Sequence, residues 1–124
     1  MIKIDPSSPV AINEQIKAAL KGLVARGLLR PGDRAPSTRS LALELKVNPN
    51  TVARALHELV DEDILEARRG DGCFVAQQAG RKAGRILQDA ANDLGNAVRR
   101  ARQAGLSWEE IEGEVKRCKN GEKL

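Results

Sequence analysis

At 124 residues the chain has room for one compact core and an appendage, and hardly for two full-sized domains. Apolar residues at 41% and charged residues at 31% exclude wholesale disorder, and a net charge of +4 permits a polyanionic partner without demanding one. Aromatics amount to 2%, Phe74 and Trp108 alone, too few for the stacking platforms that hold single-stranded nucleic acids.

Along the chain, the alternation of Ile2 and Ile4 predicts a short edge strand. Ser8 followed by Pro9 reads as an N-cap and first helical residue. Behind them Ile12, Ile16, Ala19, Leu20, Leu23 and Val24 recur at helical spacing, and Gly27 supplies the stop. Pro31-Gly32 is placed as in a type II turn. A second, shorter helix starts at Ser37 and shows an apolar face of Leu41, Ala42 and Leu45. After a break at residues 46–49, Asn48 caps a third helix with Pro49 in its first turn. Val52, Ala55, Leu56, Leu59 and Val60 line one side of it, and Asn50, Thr51 and Arg54 fall together on the other.

Two short runs, residues 64–68 and 73–76, flank the turn Arg69-Gly70-Asp71-Gly72 and predict a β-hairpin. Residues 77–80 form a polar joint. Beyond it Ala83, Leu87, Ala90, Leu94, Ala97, Ala101 and Ala104 alternate steps of four and three, a heptad-like seam that Ile86, Ala91 and Val98 widen. Gly105-Leu106 breaks this helix. Ser107 and Glu110 form a capping box for a last one, striped by Trp108, Ile111, Val115 and Cys118. Two units are therefore expected, residues 1–78 and residues 79–124.

Three helices and a hairpin, with a tight break between the second and third helix, are the plan of a winged helix-turn-helix. The fold class expected is mostly α with a small β-hairpin: an N-terminal winged helix-turn-helix followed by a C-terminal two-helix dimerisation tail. Such a fold must offer the first residues of its third helix to base edges in the major groove while the second helix lies against the backbone. Asn can pair bidentately with adenine and Arg with guanine, so Asn50, Thr51 and Arg54 suit the first task. Ser37, Thr38 and Arg39, at a helix start, suit phosphate.

Charge does not lead there by itself. Residues 1–79 hold 11 Lys/Arg against 10 Asp/Glu, and residues 80–124 hold 10 against 7. Positive groups must be gathered locally, with the acidic run at 61–63 turned away.

Four pieces occur in order: Pro31-Gly32-Asp33; Pro36-Ser37 with Arg39, Leu41 and Ala42; Asn48-Pro49-Asn50-Thr51-Val52; and Gly70-Asp71-Gly72-Cys73-Phe74-Val75. Across residues 9–76 they resemble the GntR family of bacterial regulators, and the Asn-Pro-Asn-Thr-Val version with a short two-helix tail is most similar to the YtrA-type subgroup. Ala35 stands where the family usually has Leu, and Leu56 where the subgroup often has an aromatic. The resemblance implies a dimeric repressor of a transporter operon that binds double-stranded DNA at a near-palindromic operator. Asn48, Asn50, Thr51 and Arg54 would then face DNA with Ser37, Thr38 and Arg39, and Arg69, Gly70 and Gly72 form the wing tip. Ala83, Leu87, Ala90, Leu94, Val98, Ala101, Trp108, Ile111 and Val115 are the dimerisation candidates. A pair of helices this long, about 33 Å at 1.5 Å per residue, is marginal alone, which favours burial against a second copy.

Two other classes compete. A nonspecific architectural DNA-binding protein would carry a broad positive excess, which the near-neutral first 79 residues lack. A winged helix used for protein contact would leave the polar face of the third helix idle. Enzymatic roles are not expected: there is no phosphate-binding loop, no dinucleotide fingerprint and no nucleophile matched to the lone His57. Neither a cofactor nor a metal is expected, since Cys73 and Cys118 lie far apart and His57 adds one ligand. They read as reduced, partly buried thiols. The start of the chain lacks the apolar stretch of a signal peptide and no apolar run suits a membrane, so a cytoplasmic protein is expected. A small-molecule effector, if one exists, would have to bind at the dimer interface or near the joint.

Overall fold

The computed structural model describes residues 2–121 and contains five helices and a small antiparallel sheet. Helix α1 (Ile12–Ala25) buries Ile16, Leu20 and Val24, a stripe spaced by four. It begins later than Ser8 and Pro9 suggest, with Ala11 at the N-cap. The reason is tertiary in kind: Gln15 donates to the carbonyls of Asp5 and Val10, and accepts from the Asp5 amide at 2.7 Å. These bonds hold the preceding segment as turns, and Ser8 caps only the Val10 amide within it. Residues 2–4 form no strand, although Ile2 is buried and Ile4 packs on the core. Gly27 ends α1 as expected, at φ 76°, with Leu28 N–H donating to the Leu23 carbonyl.

Helix α2 (Thr38–Leu45) and helix α3 (Pro49–Asp61) start at the caps read from the sequence, Ser37 and Asn48. Lys46, in the left-handed region at φ 57°, turns the chain between them. Leu41, Ala42, Val52, Ala55, Leu56 and Leu59 close over the α1 stripe as one core. Ala35 and Leu56, the departures from the family pattern, are both inside it.

Strands β1 (Leu65–Arg68) and β2 (Gly72–Val75) pair with Leu65 opposite Val75 and Arg68 opposite Gly72. Leu65 and Val75 are buried and close one side of the core. The tight turn centres on Arg69-Gly70, with the Asp71 amide donating to the Arg68 carbonyl, so Asp71-Gly72 is not its middle. A third extended segment lies along β2: Arg34 bridges Phe74, and Ala35 N–H donates to the Cys73 carbonyl at 2.8 Å. The hairpin expected from sequence is thus edged by the residues leading into α2.

Helix α4 (Ala79–Ala104) is one element of 26 residues that starts inside the segment read as a polar joint. Its first turn is anchored, because Ala79 and Ala83 belong to the same core as α1. Further on it leaves that core, with Ile86 48% and Leu94 62% exposed. Gly105, at φ 109°, ends it, and Ser107 with Glu110 forms the capping box that starts helix α5 (Trp108–Lys119). Helix α5 folds back on α4, and Gly121 beyond it approaches Pro9 so closely that a Cβ there would lie 2.7 Å from the proline Cδ. No described residue forms a helix long and apolar enough to cross a membrane.

Candidate nucleic-acid interface

Two helix starts build the site. At α2, the Ser37 hydroxyl accepts from the Ser40 amide at 3.1 Å and is engaged in capping. Thr38 is half-buried beside it, and Arg39 is exposed with no ion pair among the described residues. At α3, Asn48 Oδ1 accepts from the Asn50 amide at 2.8 Å, and Pro49 occupies the first turn, where its missing donor is harmless. Asn48 is therefore spoken for as a cap, and Asn50 is left exposed with its side-chain amide available.

A turn of 100° per residue brings Asn50, Arg54 and His57 onto one exposed line, opposite buried Val52, Ala55, Leu56 and Leu59. Thr51 flanks that line, half-buried. The Arg54 side chain is 74% exposed, and its Nε lies 3.5 Å from Glu58 Oε1, so it runs along the helix toward the next turn. The shallow cleft between the two helix starts is lined by Thr38, Arg39, Ala42, Leu43, Val47 and Pro49.

The acidic residues behind this face are tied up. Lys17, buried within the α1 stripe, sits 2.6 Å from Glu62 and 3.6 Å from both Glu58 and Glu14. Its hydrogen bond to Glu62 raises the Lys17 pKa above the ordinary lysine value. Burial pushes Glu62 up, but hydrogen bonds from Lys17 and Lys21 outweigh it and hold the carboxyl below the usual range. Glu62 thus faces α1 and not the polar line of α3; Asp61 stays exposed at the far end, 3.7 Å from His57.

In the wing, Arg69, Gly70 and Gly72 are exposed, both glycines at positive φ. Sequence reasoning passed over Arg34 and Arg68, whose guanidinium carbons lie 5.1 Å and 4.0 Å from the Phe74 ring centre. An aromatic two residues after the wing glycine with an arginine at the end of the preceding strand was the available signal.

The tail candidates are spread over two surroundings. Ala83 is buried against α1, whereas Leu87, Ala90, Leu94 and Trp108 are exposed and Val98, Ala101 and Ile111 half-buried. Leu94, Val98, Ala101, Ile111, Val115 and Cys118 line an open apolar groove of about 280 Å³ between α4 and α5. Helix α5 has no buried residue. Cys118 is accordingly exposed, and only Cys73 is half-buried, which corrects the expectation of two covered thiols. Among the described residues, no His, Cys, Asp and Glu cluster could hold a metal ion.

The model of bacterial regulatory proteins of the gntR family matches residues 12–75, which run from the start of α1 to the end of the wing. The chain belongs to the GntR family. It is 46% identical over 79 residues to the transcriptional repressor YtrA of Bacillus subtilis, a match that covers 64% of this chain and 61% of that protein. A transcriptional regulator from Oenococcus oeni shares the fold with a TM-score of 0.70 at 26% identity, covering 94% of this chain and 97% of that one. YtrA from Sulfolobus acidocaldarius, a GntR-family transcription factor, aligns with a TM-score of 0.60 at 37% identity, covering 74% and 97%. Residues 12–75 are therefore a GntR-type winged helix, and the match spans 61% of the length of the Bacillus subtilis YtrA repressor.

Proposed function

We propose that this GntR protein is a dimeric repressor that reads a near-palindromic operator, with residues 1–78 as the reading unit and 79–124 as the dimerisation tail. The observation that carries the reading is the exposed line of Asn50 and Arg54 at the capped start of α3, with its nearest carboxylates drawn toward α1. Asn50 and Arg54 contact base edges, and Thr51 contacts a thymine methyl or a phosphate. Ser37, Thr38 and Arg39 bind backbone, Asn48 positions Asn50, and Arg69, Gly70 and Gly72 carry the wing tip to the duplex.

Dimerisation is supported by what the single chain leaves uncovered. Leu87, Leu94, Trp108 and Val115 are 40%, 62%, 56% and 58% exposed, and they follow the helical seam of α4 and α5. A second copy would cover that seam together with Ala90, Val98, Ala101 and Ile111. Ala83 belongs to the root of the tail, where α4 shares the reading unit's core. Two reading helices would then meet half-sites about 34–36 Å apart or a multiple of that. The resemblance to the YtrA-type subgroup points to a transporter operon as the target.

Titration of the full chain with the duplex upstream of its own gene, beside a scrambled duplex of equal composition, tests this reading. Tight binding of the first alone supports it, and equal affinity for both contradicts it.

A further inference from the structure

The outward face of the wing carries an arrangement separate from the base-reading line of α3. Arg34 is paired with Phe74 across one strand boundary, and Glu66 is paired with it across the other. Side chains two apart on a strand share a face, so Arg34, Phe74, Glu66 and Arg68 all stand on the same side of the sheet. Both guanidinium groups lie over the ring, at 5.1 Å for Arg34 and 4.0 Å for Arg68. Glu66 is the carboxylate placed to neutralise them, yet among the described residues it pairs with neither. The ring restrains the two cations and leaves their charge in place.

We propose that Arg34 and Arg68, held by Phe74, form a clamp for the phosphates of duplex DNA beside the surface read by α3. A guanidinium lying on a ring keeps its N–H edge free, and that planar fork matches two phosphate oxygens. The location fits a backbone path. Arg34 stands three residues before the Ser37 cap of α2, whose helix carries exposed Arg39, and Arg68 precedes Arg69 at the wing turn. None of these four arginines is in an ion pair among the described residues. Contacts of this kind add affinity without reading sequence.

The clamp rests on the DNA-binding reading, and the test separates the two. The full chain is titrated with a random-sequence duplex of about 30 base pairs and with the upstream duplex, between about 50 and 200 mM salt. Arg34→Gln and Arg68→Gln should each lower the slope of log affinity against log salt by about 0.9, equivalent to about eightfold at 0.1 M salt. The loss should be the same on both duplexes, and Arg34→Lys and Arg68→Lys should restore the slope, which a merely structural role would not do. Phe74→Leu, which keeps both charges, should weaken both duplexes about two- to fivefold. A steep wild-type slope that both glutamine variants retain overturns the clamp alone. Loss of discrimination at unchanged slope also overturns it, in favour of base contact. A wild-type chain with no salt-dependent duplex binding overturns the DNA-binding reading itself.

Discussion

Asn50 and Arg54 face outward from one helix, but they are not equally free. Arg54 lies beside Glu58, which also accepts from Asn13 at 2.8 Å and pairs with Lys17, so the Arg54 guanidinium is steered before any duplex arrives. Asn50 spends its backbone amide on the Asn48 cap and leaves its side chain exposed. Asn50→Ala should therefore cost about 1–3 kcal/mol of preference for the operator and leave binding to random duplex nearly unchanged, measured as the ratio of the two affinities. A second residue-scale test concerns Lys17 and Glu62. Because the Glu62 carboxyl is held below its ordinary 4.5, its contribution to stability is present above that value and fades as pH falls through the lower folded one. The raised Lys17 acts at the other end: its contribution is intact below 10.5 and is lost as pH rises through the higher folded value. Glu62→Gln should cost about 1–2 kcal/mol at neutral pH, discounted for the partial exposure of Glu62, and give a flatter acid limb in melts across pH.

At the scale of elements, the starts of α2, α3 and α5 each rest on a side chain close in sequence to the amide it caps. Asn48→Ala should cost about 1 kcal/mol in a denaturant melt, and operator affinity should fall with it as the first turn of α3 frays. Such local bonds are why Ser37, Asn48 and Ser107 could be read directly from sequence. The start of α1 could not, because Gln15 reaches back to Asp5 and Val10 and outcompetes a helical reading of Ser8-Pro9. The strand-like pairing of Arg34 was hidden for a related reason: its partner Phe74 lies far along the chain. Lys17 interrupts an apolar stripe and makes sense only with Glu62 opposite. Of the candidate interface, the exposed placement of Asn50 and Arg54 on α3 was legible from helical spacing. The stacking of Arg34 and Arg68 on Phe74 depends on sheet register and was not.

For the whole molecule, the long α4 joins two environments, its root inside the core shared with α1 and its remainder exposed together with α5. Rotation of the tail would therefore be felt at α1, against which Ala83 packs. If a second copy covers the seam, Leu94→Glu places a charge in it. That variant should sediment as a monomer at micromolar protein, melt near the wild-type temperature, and lose operator affinity at least about tenfold as the linked second half-site is given up. Unchanged sedimentation would mean that the exposed seam has another use. The deciding measurement is an affinity ratio at fixed, stated salt: the full chain on the duplex upstream of its own gene against a scrambled duplex of the same composition. Operator reading predicts a ratio of about 1,000 or more with two chains per duplex. Equal affinity for the two duplexes would show that the exposed face of α3 does not read bases.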